Sequence, residues 1–318
     1  MAEPIRVVPI VCPFGLGGVV YVYYLDTPEP ALVDTGVAAS PAGVIEPALQ
    51  AAGFRLEDVR WILATHGHWD HIGGAHAART LAAPGAAVAL HGADAELLAQ
   101  RRAHLNGYAG VRFRYLDAPE LLAQTEALLL EGISGELAAD RVLADGDRIP
   151  LGRGITLAVV HTPGHSAGSV SYLLEGPNWA FTGDAVQIHG SGTNRFPLFV
   201  DPAAYRASLR RLLAEVRPAE LYLGHRLLDP TGETLLESHL AGEAVPAALR
   251  GSLDVEERLA AAAAQIAVPA QQPLTAQSFA PAAEALGYRA DDPLSWPPSF
   301  FATLSGYLAP SESGPPAR

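Results

Sequence analysis

Apolar side chains recur along the chain with two spacings, and each spacing predicts a different kind of element. β-Branched, aromatic and other apolar runs predict strands at 16–25, 31–33, 60–64, 86–91, 155–160, 169–174, 179–181 and 220–223. Helical spacing predicts helices at 41–52, 75–83, 93–102 and 202–216. Residues 141–150 contain Asp145-Gly146 and predict a tight hairpin. Two β-rich blocks with interleaved helices favour an α/β fold, in which two sheets pack face to face with helices outside.

Two segments depart from this pattern. Residues 104–140 are irregular around a helical stretch at 119–130, and predict an insert that is either a lid over a site or a plain surface excursion. Beyond about 230, Ala- and Leu-rich segments at 233–248, 254–267, 275–287 and 297–309 predict a C-terminal helical extension. We therefore expect a main domain over 1–230, an extension over 231–309 and a disordered tail over 310–318.

Composition narrows the class of function. The 318-residue chain has a formal net charge of −13, which disfavours nucleic-acid binding because phosphates are bound by basic surfaces. It contains no lysine, which excludes a Schiff-base or P-loop lysine. Cys12 is the single cysteine, so an intrachain disulfide is excluded and a reducing compartment is favoured. No apolar run is long enough to span a membrane, and Pro9 and Pro13 interrupt the N-terminal one, so we expect a cytoplasmic protein.

A dense cluster of histidines follows the apolar run that ends at Ala64. His66, His68, Asp70 and His71 fall within six residues. In an extended segment His66 and His68 face the same way and Asp70 continues that face, whereas His71 points elsewhere, so one loop could supply two metal ions. Imidazole and carboxylate ligands without thiolate suit zinc, and also iron or manganese. The cluster therefore predicts a metal site.

The cluster also resembles a known signature. Thr65-His66-Gly67-His68-Trp69-Asp70-His71 resembles the His-x-His-x-Asp-His motif of the metallo-β-lactamase superfamily. Later segments are similar to further motifs of that family in the same order: 161–166, 181–184 and 223–225, with 32–36 similar to its early turn. The resemblance covers about 15–230 and implies a four-layer αββα sandwich, here with a C-terminal helical extension.

This resemblance implies a ligand set for two metal ions. It assigns His66, His68 and His165 to one ion, assigns Asp70, His71 and His225 to the other, and makes Asp184 the bridge. The set resembles that of the dinuclear zinc hydrolases and differs from that of the flavo-diiron branch, which has Glu at the second histidine of the motif. Two Zn²⁺ ions are thus the expected cofactors, with iron or manganese as alternatives.

Two cations that share a hydroxide lower its pKa toward neutrality and so provide a nucleophile without Ser or Cys. Asp70 is predicted to be catalytic, carrying the proton to the leaving group. We therefore expect hydrolysis of a small-molecule ester, thioester or lactone. Competing interpretations are a mononuclear iron persulfide dioxygenase, an RNA-processing nuclease of the same fold, which the acidic charge disfavours, and a non-catalytic zinc scaffold.

Candidates outside the ligand set are fewer. Residues 190–196 resemble the Gly-x-Gly loop of hydroxyacylglutathione hydrolases (glyoxalase II) and persulfide dioxygenases, which carry Cys where this chain has Ser191. Trp69, His189 and Arg195 are predicted to contact substrate. Asp34 and His161 are predicted to orient the metal loops, because metal ligands need hydrogen-bonding partners. The insert and the C-terminal helices are expected to shape the pocket mouth and are candidates for a homodimer interface.

Overall fold

Two mixed β-sheets form the centre of the computed structural model, which describes residues 5–15, 17–192, 194–269 and 272–308. Each sheet has six strands within that part of the chain. The first contains, in spatial order, β1 (Arg6–Phe14), β2 (Gly18–Asp26), β3 (Ala31–Val33), β4 (Trp61–Leu63), β5 (Ala87–His91) and β6 (Arg141–Leu143). The second contains, in reverse spatial order, β7 (Arg148–Pro150), β8 (Thr156–His161), β9 (Val170–Leu174), β10 (Trp179–Gly183), β11 (Glu220–Leu223) and β12 (His239–Ala241).

Strand direction determines where the loops emerge. In the first sheet β3 to β6 are parallel, and in the second sheet β10 and β11 are parallel, while the remaining pairs are antiparallel. Parallel neighbours end at the same edge of a sheet, so the loops after their carboxyl ends lie side by side.

Helices cover the outer faces of both sheets. Those described are α1 (Glu46–Ala52), α2 (Trp69–Ile72), α3 (Ala75–Leu81), α4 (Ala95–Ala99), α5 (Ala103–Asn106), α6 (Pro119–Gly132), α7 (Pro202–Arg211), α8 (Ala244–Ala263), α9 (Ala280–Ala285) and α10 (Phe300–Gly306). Wider π turns span Pro41–Ile45 and Leu212–Val216. Short 3-10 helices span Leu56–Asp58, Gly92–Asp94, Tyr108–Arg114, Ala276–Phe279 and Pro293–Ser295. Among the described residues, none of these helices has the length and apolarity required to cross a bilayer.

Alternation along β2 separates two hydrophobic cores. Val20, Val22 and Tyr24 pack under α1 and α3. Tyr21, Tyr23 and Leu25 face the opposite way and pack between the sheets, against Leu157 and Phe181. A third core lies outside the second sheet, where α7, α8 and α10 pack on β10 and β11. The layers are therefore helix, sheet, sheet, helix, which confirms the predicted α/β sandwich.

The segment after residue 230 differs from its predicted form. Residues 239–241 form β12, which pairs antiparallel with β11, and 244–263 form one helix where two had been expected. Ala248, Leu249 and Leu259 of that helix join the core of the second sheet. Residues on both sides of the expected boundary at 230 thus share one sheet and one core. The predicted tail over 310–318 lies outside the described residues.

One prediction about strands was wrong, and one strand was not predicted. The segment 141–150 turns at Asp145-Gly146, but β6 and β7 belong to different sheets, because Leu143 and Ile149 both enter the core between the sheets. The strand β1 was missed because Pro9 and Pro13 interrupt its sequence. It lies at the edge of its sheet, where a residue without an N–H is tolerated.

Candidate metal centre

Four loops bring ligand-type residues to one edge of the sandwich. After β4, a loop carries His66 and His68, and α2 carries Asp70 and His71, which were expected in an extended segment. Loops after β8, β10 and β11 carry His165, Asp184 and His225. Backbone hydrogen bonds join these loops: the Val170 N–H donates to Thr65 O at 2.8 Å, and the Gly224 N–H donates to Gly183 O at 3.0 Å. We call these seven residues the candidate metal centre.

The side chains of the centre converge in overlapping groups. Ligand atoms of His66, His68 and His165 lie within 4.8 Å of one another, and so do those of Asp70, His71 and His225. A third group joins Asp184 to His66 and His71. Nε2 of His165 is 3.1 Å from Nε2 of His66, and Nε2 of His71 is 3.1 Å from Nε2 of His225. The structure thus brings together all seven predicted ligands, in the two predicted sets.

Asp184 lies between the two sets, and we call it the central carboxylate. Its Oδ2 is 3.4 Å from Nε2 of His165 and 3.3 Å from Nε2 of His225, and its Oδ1 is 3.5 Å from Nε2 of His71. Oδ1 is buried and has no hydrogen-bond partner among the described residues. An anionic oxygen buried without a donor is costly, so this atom fits a place next to a cation.

Hydrogen bonds on the outer side of three histidines set their tautomers. Nδ1 of His165 donates to Leu198 O at 2.6 Å, and Nδ1 of His225 donates to Val19 O at 2.7 Å. Nδ1 of His71 donates to Asp34 Oδ2 at 2.8 Å. A proton on each Nδ1 leaves the Nε2 lone pair directed to the centre, as metal binding requires.

Burial and charge favour the metal-binding protonation state at some of these side chains and oppose it at others. Burial lowers the pKa of His66 and His68 well below the usual value, and lowers the pKa of His165. Burial alone would raise the pKa of Asp184, but His225, His71 and His165 together hold it well below its usual range. Neutral imidazole and ionised carboxylate are the forms that coordinate cations. Burial opposes a charge on His71 and His225, but the neighbouring carboxylates, Asp34 for His71 and Asp184 for His225, raise the pKa of both, so cations compete with protons at these two residues.

Asp34 holds the loop of the His-x-His-x-Asp-His motif at two points. Its φ of 63° is left-handed, a conformation that Asp tolerates better than most residues. Oδ1 accepts the Thr65 N–H at 2.8 Å, while Oδ2 accepts Nδ1 of His71. The carboxylate therefore orients one predicted ligand and fixes the backbone beside another.

His161 lies farther from the centre. Its Nε2 donates to Ala167 O at 2.9 Å, and its ring stacks on His91 with the centroids 4.1 Å apart. Its contacts therefore brace the loop that carries His165.

Asp94 is a functional residue that the sequence did not reveal. It is buried, and its Oδ2 accepts the Gly67 N–H at 2.7 Å and the Ser166 hydroxyl at 2.6 Å, while Oδ1 accepts the Gly168 N–H at 2.8 Å. One carboxylate thereby joins the loop between His66 and His68 to the loop after His165. Asp94 stands outside every motif, and only its position after a predicted strand could have drawn attention to it.

A cavity of about 240 Å³ opens onto the centre. Trp69 and Phe14 form one side, with ring centroids 5.5 Å apart. Tyr108, from the predicted insert, stacks on His68 with the ring centroids 3.5 Å apart, and its hydroxyl oxygen accepts the backbone N–H of Trp69 at 3.1 Å. The insert therefore supplies a wall of this cavity. Other residues lining it are Gln187, Ser191, Asn194, Phe196, Leu198, Leu227 and Pro298.

Two of the predicted substrate contacts lie elsewhere. Nε2 of His189 donates to Pro230 O at 3.1 Å, and the Arg195 guanidinium donates to Gly232 O at 3.0 Å. Neither side chain lines the cavity, because the loop after the central carboxylate turns both toward 230–232. From the same loop, Gln187, Ser191 and Asn194 line the cavity instead.

Comparisons with known proteins agree with this arrangement. The family model of the metallo-beta-lactamase superfamily matches residues 15–225. The chain belongs to this superfamily, which confirms the predicted family.

Similar individual proteins include two curated hydroxyacylglutathione hydrolases. The one from Brucella anthropi is 28% identical over 226 residues, covering 71% of this chain and 68% of the relative. The one from Brucella ovis is 30% identical over 206 residues, covering 64% of this chain and 61% of the relative.

Solved structures show the same fold. A metallo-beta-lactamase family protein from Thermus thermophilus superposes with a TM-score of 0.65 at 24% identity, covering 96% of this chain and 91% of that one. A HARLDQ-motif mutant of a metallo-beta-lactamase from Cronobacter sakazakii gives a TM-score of 0.54 at 26% identity, covering 77% of this chain and 92% of that one.

Proposed function

We propose that this chain is a metal-dependent hydrolase that binds two Zn²⁺ ions and cleaves a small thioester, ester or lactone. The observation that carries the proposal is the central carboxylate. Asp184 is buried between two sets of convergent imidazoles, and its Oδ1 has no donor among the described residues. Cations on both sides would neutralise this oxygen and occupy the space between Nε2 atoms that lie 3.1 Å apart.

Each residue then has a defined role. His66, His68 and His165 would hold one ion, Asp70, His71 and His225 the other, and Asp184 both. Bound divalent cations supply an activated water and polarise a carbonyl oxygen. Asp70 lines the cavity, and its side chain is 14% exposed against 8% for Asp184. It is thus the carboxylate of the centre better placed to pass a proton to a leaving group.

Two features support the substrate class. The similar curated proteins are hydroxyacylglutathione hydrolases, whose name describes cleavage of an acylated thiol. The cavity of about 240 Å³ combines aromatic walls, Phe14 and Trp69, with the polar side chains of Gln187 and Asn194. Such a lining suits a small acyl group with one or two polar substituents.

Metal content measured together with a substrate panel tests the proposal. Elemental analysis should give two zinc ions per chain. A lactoyl thioester or a lactone should be hydrolysed, with the activity lost on chelation and restored by Zn²⁺, and bis(p-nitrophenyl) phosphate should be a poor substrate. Asp184→Asn, equal in size but uncharged, should lose metal and activity. Asp291→Asn, which changes an exposed carboxylate paired with Arg289, should change neither.

Two results would contradict the proposal. Full turnover by metal-free protein would exclude metal dependence. A single iron per chain, with oxygen consumed on a persulfide substrate, would instead indicate the dioxygenase chemistry of the same fold.

A further inference from the structure

A second cavity lies beside the one that opens onto the candidate metal centre. Its volume is about 260 Å³, and it is lined by Gly17, Val19, Ser191, Gly192, Arg226 and Leu235. Ser191 lines both cavities. Val19, in the wall of the second, accepts the Nδ1 proton of His225 at 2.7 Å. The two spaces therefore adjoin, and a ligand with its reacting group at the centre could extend into the second cavity.

Arg226 has unused hydrogen-bonding capacity in that second cavity. It directly follows His225, and its Nε is buried with no hydrogen-bond partner among the described residues. Its ion pair with Glu237 is long, 3.9 Å, and the Glu237 side chain is 81% exposed. A pair of this kind contributes little, because water competes for both groups. The guanidinium can therefore bind a carboxylate by donating two of its N–H groups to the carboxylate oxygens.

Arg226 is a cationic side chain at a cavity of an acidic protein. The chain carries a formal net charge of −13 and has no lysine. Among the described residues, Arg226 is the one arginine that lines either cavity. Val19, Leu235 and two glycines form much of the remaining wall of the second cavity, so Arg226 and Ser191 are its polar lining side chains. Such an arrangement selects an anionic group on a short, otherwise apolar connection.

We propose that Arg226 anchors a carboxylate of the substrate, so that the hydrolysed compound is an acylated thiol or alcohol bearing a carboxylate near the scissile bond. This inference rests on the proposed hydrolase function and specifies its substrate. Arg226 acts on binding and specificity, and the bond cleavage takes place at the neighbouring centre.

A pair of matched thioesters tests the anchor on metal-loaded protein. S-acetyl-3-mercaptopropionate carries the carboxylate, and S-acetyl-3-mercaptopropionamide replaces it with a neutral group of the same shape. Loss of a charge-assisted pair predicts a KM on the order of 10- to 100-fold higher for the amide, with kcat little changed. A second pair, with carboxylate and carboxamide on the acyl side, shows which half of the substrate reaches Arg226.

Variants of Arg226 test whether its guanidinium causes the difference in KM between the two substrates. Arg226→Gln should raise KM for the carboxylate substrate to that of the amide and leave the amide kinetics unchanged. Arg226→Lys should recover part of the difference, since an ammonium group cannot form the bidentate pair. Arg195→Gln is the matched control, because Arg195 is exposed and donates to Gly232 O, away from both cavities.

The outcomes separate the two proposals. If both members of each pair have equal KM values and Arg226→Gln changes neither, the anchor is rejected and the hydrolase function stands. If the wild type cleaves none of these compounds, calorimetric binding of glutarate decides. Binding at least tenfold weaker in Arg226→Gln supports the anchor, and equal binding in the two proteins overturns it.

Discussion

Replacing Asp34 with asparagine tests whether one buried carboxylate controls metal binding through His71. Asparagine has the same size and tolerates the left-handed φ of 63°, so the backbone can be retained. In the wild type Oδ1 accepts the Thr65 N–H and Oδ2 accepts Nδ1 of His71, each at 2.8 Å. The amide keeps one oxygen and replaces the other with an NH₂ group, so one of the two partners loses its acceptor.

Both orientations of the amide are unfavourable. If NH₂ faces His71, it meets the Nδ1 proton, so the imidazole must carry its proton on Nε2 instead. This Nε2 lies 3.1 Å from Nε2 of His225, and once protonated it could no longer bind a cation. If NH₂ faces Thr65, a buried backbone N–H loses its acceptor. Either way the loss is one hydrogen bond to a charged group, about 1.5–3 kcal/mol. That corresponds to a metal affinity on the order of 10- to 100-fold weaker.

The loss should be confined to one of the two sets of ligands. His71 belongs with Asp70 and His225 and contacts Asp34 directly. In the other set, His165 donates to Leu198 O, and His66 is linked to Asp34 only through the Thr65 hydroxyl. Competition with a chromophoric zinc chelator resolves two dissociation constants, and elemental analysis counts the ions retained. Asp34→Asn should bind one ion as the wild type does and the second more weakly. Asp291→Asn serves as the control, and thermal unfolding of the metal-free proteins checks the fold.

The reasoning is refuted if Asp34→Asn folds normally and binds both ions with wild-type affinity. Equal weakening of both ions, with a lowered melting temperature, would also contradict it, since that pattern indicates collapse of the whole loop.

Three further predictions concern other parts of the molecule. Gly224→Ala places a Cβ 2.5 Å from Oδ1 of the central carboxylate, so metal binding should weaken. The control Gly43→Ala has no neighbour within 4 Å of the new Cβ and should bind metal normally. Equal metal affinities in the two variants would contradict the geometry. Arg206→Gln removes both hydrogen bonds from Arg206 to Glu256, whose side chain is 1% exposed, and should lower the free energy of unfolding in urea by about 2 kcal/mol. Adding Glu256→Gln should recover part of that loss, and no recovery would argue against an uncompensated buried charge. Burial raises the pKa of Cys12 to about 12, so the native thiol should not react with a disulfide reagent at pH 8 and should react in denaturant; rapid native reaction would show that β1 opens.

The spacing of apolar residues over short segments was sufficient to predict much of the fold. The β-branched and aromatic run at 16–25 predicted a strand, and β2 has one apolar face in each of two cores. The prediction failed where an element's partner mattered more than its own sequence. Leu143 and Ile149 are equally apolar in a hairpin or in two sheets, so only their common core shows that the chain crosses between sheets. Residues 239–241 form a strand because they pair antiparallel with β11, a partner that their own sequence does not reveal.

The candidate site divides in the same way. The cluster His66 to His71 is local, so its chemistry could be inferred from spacing alone, and the family resemblance located His165, Asp184 and His225. No local signal distinguished Asp94, which joins two loops distant in sequence through three hydrogen bonds. Nor could spacing show that Arg195 turns away from the cavity while Ser191 lines it.

Residue type and periodicity act over a few residues, so they were enough to predict the layers of the fold, the family and the chemical types of the predicted ligands. Only the packed fold shows which side chains face the cavity and which carboxylates orient the predicted ligands. It also shows that Arg226 lies beside the centre with a buried Nε that has no partner among the described residues. Those features depend on the directions of loops that meet only after the two sheets pack, and a side chain's direction in a loop is set by contacts with remote segments.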